Sequence, residues 1–215
     1  MNKSISVLIP AYNEEEKIKD TILSVQKINQ AIEIIVINDG STDLTSEIVK
    51  KLDVKLINLD TNQGKGNALN EGLKYAKGQI ISLIDADIGR TAIELEKLLE
   101  PVLEEKVDMT IARFPPSNCK GGFGLVTGLA KIGVKFFTNL DFQSPLSGQR
   151  VLTRRLVDYL GSFASGFGVE VAMTIKAIQG NFKVSEVPVV MKHRETGRDW
   201  SGFKHRGYQF KDVLS

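Results

Sequence analysis

Over the first 112 residues, short apolar runs alternate with segments whose apolar residues recur at every third or fourth position. The runs fall at Ser4–Pro10, Glu33–Asn38, Val54–Leu59, Gln79–Asp85 and Val107–Ala112; between them lie Glu14–Ile28, Thr42–Lys51, Lys65–Ala76 and Thr91–Glu104. Val7-Leu8-Ile9 and Ile34-Ile35-Val36-Ile37 are continuous rather than alternating. Runs of that kind are strands buried on both faces, as in a parallel sheet covered by helices. In the first intervening segment Ile18, Ile22, Val25 and Ile28 share one helical face; in the fourth, Ile93, Leu95, Leu98, Leu99 and Val102 do. The alternation predicts a doubly wound α/β domain, whose ligands gather at the carboxyl ends of the strands.

The second half breaks this rhythm. Phe114–Gly122, with two prolines and two glycines, reads as a loop, and Leu125–Asn139 as a helix with its apolar residues on the core, the alternative being an amphipathic helix at a membrane surface. Val151–Leu160 and Val169–Gln179 are expected to be helices and Phe182–Met191 a strand; Lys192–Ser215 is a polar, basic tail. Without an internal repeat or linker, residues 1–215 form one domain: a first half to residue 112, a second part over 113–191 and the tail from 192. Hydrophobic residues at 42% and charged residues at 25% exclude wholesale disorder. One cysteine, Cys119, excludes an internal disulfide framework, and with two histidines, His193 and His205, a zinc finger is excluded too. No signal segment precedes the first strand and no apolar run is long enough to span a bilayer, so a cytoplasmic protein is expected. Charge is uneven: residues 1–105 hold 12 basic and 18 acidic side chains, residues 106–215 hold 16 and 8. A basic second half suits an anionic ligand, an acidic surface or solvated helix faces.

Polar groups crowd the predicted strand ends. Strand one runs into Pro10-Ala11-Tyr12-Asn13-Glu14-Glu15, strand two into Asn38-Asp39-Gly40-Ser41-Thr42-Asp43 and strand four into Asp85-Ala86-Asp87. Like charges raise one another's pKa and cost stability, so a purely structural protein has little reason to gather them there. In an extended segment Asp85 and Asp87 point to one side, where both carboxylates can hold a hard cation such as Mg²⁺ or Mn²⁺ together with a diphosphate. Ser41 or Thr42 can cap the following helix, leaving Asp39 to accept hydrogen bonds from a ligand N–H. Asn62-Gln63-Gly64-Lys65-Gly66 opens the third helix, where glycines and a lysine suit an anion or form a plain turn. Neither a P-loop nor a dinucleotide-binding glycine fingerprint is present.

Together these blocks, from Val7 to Glu15, Ile37 to Asp43, Asn62 to Ala68 and Asp85 to Asp87, resemble family 2 glycosyltransferases with the GT-A fold. The resemblance implies transfer of a sugar from a nucleotide diphosphate donor, UDP before GDP, with Mg²⁺ or Mn²⁺. It implies that Pro10, Ala11, Tyr12, Glu14, Asp39 and Lys65 line the nucleoside site and that Asp85, Ala86 and Asp87 serve the metal–diphosphate, making 1–112 the nucleotide-sugar half. Ser147-Gly148-Gln149-Arg150, Gly166-Phe167-Gly168-Val169-Glu170 and Glu186-Val187-Pro188 resemble polyprenyl- or dolichyl-phosphate hexose synthases. Pro145-Leu146-Ser147-Gly148 and His193-Arg194 also resemble glucosyl-3-phosphoglycerate synthases, which implies His193 as a further metal ligand.

Glu170 would then act as base or orienting group near the acceptor, in the role of a catalytic residue beside Asp87; the alternative is a first-turn acid favoured by the helix dipole. Gly148, Gln149 and Arg150 would present a turn to the acceptor, and Arg194 and Arg198 would close over phosphate as part of a lid. The acceptor is a hydroxyl or, given the basic second half, a phosphate-bearing molecule such as polyprenyl phosphate or a small phosphorylated acid. Peripheral contact with the inner face of a membrane and a homodimer are both compatible with this reading; nucleic acid is not a partner. Two other classes stay open: a sugar-nucleotide nucleotidyltransferase, whose glycine-rich loop after strand one is missing, and a non-enzymatic module for anionic surfaces, which leaves the acidic strand ends unexplained.

Overall fold

The computed structural model describes residues 3–28, 32–115, 123–164 and 168–191, the side chains of 123–126 excepted. The first half follows the expected alternation: β1 (Ile5–Ala11), α1 (Ile18–Val25), β2 (Ile32–Asp39), α2 (Thr45–Val49), β3 (Lys55–Leu59), α3 (Lys65–Leu73), β4 (Ile80–Leu83). A 3-10 helix, Gly89–Glu94, leads into α4 (Leu95–Leu103), then β5 (Met109–Arg113). The second half adds α5 (Phe123–Thr138), β6 (Arg150–Thr153), α6 (Arg154–Leu160), α7 (Val169–Gln179) and β7 (Val184–Pro188).

The strands form one sheet in the order β3-β2-β1-β4-β6-β5-β7. All neighbours are parallel except β6, which runs antiparallel to both β4 and β5. The continuous apolar runs do bury both faces. From β1, Ile5, Val7 and Ile9 join the core under α1 and α4, while Leu8 joins the one under α3 and α6. From β2, Ile34 and Val36 go to the first core and Ile35 and Ile37 to the second.

The expected helix over Val151–Leu160 is corrected. Its first residues belong to β6, and the helix starts only at Arg154. Val151 and Leu152 are wholly buried between β4 and β5, so their place in the sheet overrides local pattern. Thr153 stays extended and its hydroxyl accepts the Leu156 N–H at 3.3 Å, so the strand passes directly into a capped helix. Nor does α5 turn all its apolar residues inward. Ala130 and Val134 are buried, whereas Ile132, Phe136 and Phe137 are 66%, 81% and 58% exposed. Among the described residues no helix is long and apolar enough to cross a membrane.

Candidate active site

The antiparallel β6 determines what meets at the sheet edge. Its first residue, Arg150, pairs with Leu83, the last of β4. The loop that precedes β6 therefore arrives at the same edge as the loop that follows β4. Gln149 is delivered to Asp85, and its Nε2 donates to Asp85 Oδ2 at 2.8 Å. From α3, the ammonium of Lys65 lies 2.7 Å from Asp85 Oδ1 and 2.9 Å from Glu170 Oε1 in the first turn of α7. The side chains of Lys65 and Asp85 are 30% and 25% exposed, that of Glu170 only 11%.

Burial pulls the Lys65 pKa down, but the charges and hydrogen bonds of Asp85 and Glu170 outweigh it and raise the value above the ordinary lysine range. Lys65 is accordingly a fixed cation, with no lone pair to offer as a base. Gly148 completes the cluster by close approach: a Cβ there would strike Lys65 Nζ and lie 2.7 Å from Asp85 Oδ2. A side chain there would require the Lys65 ammonium and the Asp85 carboxylate to shift.

Asp39 ends β2 beside Leu59, the end of β3, with a residue exposure of 3%. Its Oδ1 accepts the Gln63 N–H and its Oδ2 the Gly64 N–H, both at 2.8 Å. The carboxylate thus shapes the turn that launches Lys65. Ser41 and Thr42 do not cap α2, which begins at Thr45. Ser41 Oγ instead accepts the Asn13 N–H (3.0 Å), and the Thr42 N–H donates to Asn13 Oδ1 (2.8 Å). The Glu14 N–H donates to Thr45 Oγ1 (2.8 Å), and Asp43 and Glu15 exchange bonds with the opposite backbone. The loops after β1 and β2 are therefore laced together. Pro10 and Ala11 end β1, Tyr12 is 47% exposed beyond them, and Glu14 is partly buried.

Arg150 takes a different place from that expected of a substrate contact. It is wholly buried, with Nε donating to Ser147 O (2.9 Å), Nη2 to Pro145 O (2.9 Å) and Nη1 to Thr174 Oγ1 (2.8 Å). Burial pushes its pKa down to about 10 against the pull of Glu170 and Glu186, so it stays charged at neutral pH. It shapes the 145–149 loop from beneath. Glu186 in β7 does the same from the other end, accepting the Gln143 and Ser144 N–H groups at 2.9 and 2.6 Å. The available signal for Glu186 was that it is the one charged residue of β7. His193, Arg194, Arg198 and Cys119 lie outside the described residues.

Asp85, Ala86 and Asp87 also depart from the extended geometry expected of them. β4 ends at Leu83, and Ala86 and Asp87 form a turn. Among the described residues no group of three or more His, Cys, Asp or Glu is placed so that it could hold a metal ion by itself. The donors present, two carboxylates at a partly exposed edge, fit a hard divalent ion that takes the rest of its shell from water and phosphate. Asp85 serves Lys65 with one oxygen and Gln149 with the other.

A mostly parallel seven-stranded sheet with one antiparallel insertion and acidic groups at its carboxyl edge defines a GT-A fold glycosyltransferase. The sequence matches Glycosyl transferase family 2 over residues 6–158, and the chain belongs to that family. It is 34% identical over 197 residues to the uncharacterized protein MJ1222 of Methanocaldococcus jannaschii, covering 86% of this chain and 80% of that one. Over 90 residues it is 46% identical to the poly-beta-1,6-N-acetyl-D-glucosamine synthase of Staphylococcus epidermidis, 40% of this chain but only 22% of that protein. Among solved structures, glucosyl-3-phosphoglycerate synthase from Mycobacterium tuberculosis in complex with Mn²⁺, UDP and phosphoglyceric acid superposes with a TM-score of 0.81 at 27% identity. That match covers 99% of this chain and 76% of the other.

Proposed function

We propose that this glycosyltransferase moves a hexose from a UDP-sugar, with Mn²⁺ or Mg²⁺, to a phosphate-bearing acceptor of the size of a phosphorylated small acid. The observation that carries the reading is Lys65 held between Asp85 and Glu170. It joins the donor half of the sheet to the first turn of α7 at the edge where ligands of such folds sit. The likeness to a synthase crystallised with Mn²⁺, UDP and phosphoglyceric acid supports the choice of donor and acceptor class.

Asp87, with Asp85 behind it, would hold the metal. Bound there, the ion would neutralise the charge that grows on the departing diphosphate. The laced loops after β1 and β2 offer a preformed wall to the nucleoside, with Tyr12 exposed on it. Asp39 keeps the Gln63-Gly64 turn in place, and Lys65 fixes Asp85 and Glu170 relative to each other. Glu170 orients the acceptor; a phosphate oxygen is already anionic and needs no base, whereas a hydroxyl would draw on this carboxylate.

A thermal-stability screen against UDP, GDP, ADP and CDP, each with and without Mn²⁺ or Mg²⁺, tests the donor site. At about 100 times its dissociation constant a ligand stabilises by about 2.7 kcal/mol. UDP is expected to raise Tm strongly only with metal, and Asp87→Ala to lose that rise and all transfer while keeping its fold. Equal shifts with and without metal, or full activity in Asp87→Ala, would refute the metal role. Transfer from UDP-glucose to 3-phosphoglycerate, compared with polyprenyl phosphate, tests the acceptor.

A further inference from the structure

The turn that carries Asp87 is not closed by its own backbone. Thr21, wholly buried in α1, places its hydroxyl between the two groups that a four-residue turn would join directly. Its Oγ1 donates to Ala86 O at 2.8 Å and accepts the Gly89 N–H at 2.8 Å. The single hydroxyl proton has a second acceptor within reach, Lys17 O, but at the longer distance of 3.2 Å. Gly89 has φ +54, and a Cβ there would meet nothing nearer than Lys17 Cδ at 3.7 Å. The glycine is therefore required by the backbone conformation of the turn, not by lack of space. Nearby, Ser24 Oγ donates to Arg90 O (3.2 Å) and Arg90 pairs with Asp20 (3.2 Å), so α1 backs this whole stretch.

A hydroxyl inserted in a turn widens it and sets the direction of the residues within. Here those residues are Asp87 and Ile88, and Ile88 is anchored in the core at 3% exposure. The backbone on either side of Asp87 is thus held by Thr21 at Ala86 and Gly89 and by the core at Ile88. We propose that Thr21 is a positioning residue for Asp87: its hydroxyl holds the turn in the one geometry that presents this carboxylate to a metal–diphosphate. The inference rests on the reading of Asp87 as a metal ligand. In sequence Thr21 stands on the same helical stripe as Ile18, Ile22 and Val25, and a polar residue on a buried stripe is the mark of such a role.

The test is Mn²⁺ affinity in the presence of UDP, measured by the free-ion paramagnetic signal, for the wild type, Thr21→Val, Thr21→Ser and Ser24→Ala. Outer groups that orient metal ligands change affinity by about 10- to 100-fold. Thr21→Val, which keeps the shape and removes the hydroxyl, is expected to bind Mn²⁺ about tenfold or more weakly, with metal-free UDP affinity unchanged. Thr21→Ser restores affinity to within about twofold of the wild type, and Ser24→Ala leaves it there. Should Thr21→Val fail to fold by circular dichroism, Thr21→Ala carries the same expectation. Wild-type Mn²⁺ affinity in the hydroxyl-free variant, or a Thr21→Ser variant as weak as it, overturns the role of Thr21 and leaves the proposed function standing. A wild type that binds no Mn²⁺ with UDP overturns both.

Discussion

Lys65 and Asp85 lie 2.7 Å apart, one opening α3 and the other following β4, and Asp85 holds that cation with one oxygen while the other accepts from Gln149. Removing the cation leaves Asp85 and Glu170 without the charge that separates them. Breaking a fully buried pair costs about 3–5 kcal/mol, and partial exposure reduces this, so Lys65→Met is expected to lose about 1–3 kcal/mol in urea melts and most of its transfer activity. The pH dependence has a definite sign. The folded pKa of Lys65 is raised above the ordinary 10.5, so its contribution is fully present below that value and is lost as pH rises through the folded one. The stability gap between wild type and variant should therefore stay constant from about pH 7 to about pH 10 and close only above.

Gly148 makes a sharper probe, because it tests geometry without removing a charge. The Cβ of Gly148→Ala would displace Lys65 from Asp85. Overpacking of this kind costs about 1–3 kcal/mol. A displacement of about 1 Å can cost about 100-fold in rate, so kcat should fall by one to two orders of magnitude. Gly128→Ala and Gly133→Ala, in α5, meet nothing within 4 Å and serve as controls. They should leave kcat unchanged and stabilise the helix by about 0.5–1 kcal/mol each.

Asp39 is predicted to act through the backbone it holds. An amide at this position keeps one acceptor oxygen, so Asp39→Asn leaves either the Gln63 or the Gly64 N–H without its partner. Gln63 is exposed and Gly64 partly so, so water can reach the stranded donor and the cost should stay near or below the low end of the about 1–3 kcal/mol of a buried one. UDP affinity, measured by calorimetry without metal, should fall, while Mn²⁺ affinity should change less than in Asp87→Ala. Unchanged stability together with lost UDP binding would instead mark Asp39 as a direct ligand contact.

How much of this was legible in the sequence depends on the range of the interaction. The strands β1 to β5 and helices α1 to α4 follow from local pattern, because burial on both faces of the sheet writes itself into the central strands β1, β2 and β4. Asp39, Lys65, Asp85, Gln149 and Glu170 were all found as strand-end or motif residues. What local pattern does not carry is direction. A run such as Val151–Thr153 reads as the start of a helix until β4 and β5 are known to flank it, and the antiparallel sense of β6 is what brings Gln149 to Asp85. For the same reason the sequence places Arg150 with Gly148 and Gln149 in a turn toward the acceptor, whereas its guanidinium points under the loop it follows. Thr21 and Glu186 each hold two backbone groups of a segment more than 40 residues away, and the sequence does not say which segment that is.

Arg150 ties two parts of the site that are far apart in sequence. Its guanidinium holds the Pro145 and Ser147 carbonyls on one side and Thr174 on the other, and Thr174 in turn donates to the Glu170 carbonyl at 2.8 Å. Donors on three nitrogens in one plane make this possible, whereas a lysine ammonium carries its three donors tetrahedrally on one atom and does not match the three acceptors. Arg150→Lys should accordingly behave like Arg150→Met, each losing about 2–4 kcal/mol in denaturant melts as buried carbonyls lose their donors. UDP affinity should persist in both, since the loops after β1, β2 and β3 do not rest on Arg150. Transfer should suffer through the acceptor, with KM for it raised more than kcat is lowered. A lysine variant as stable and active as the wild type would show that charge alone, and not the planar fork, holds the 145–149 loop against α7.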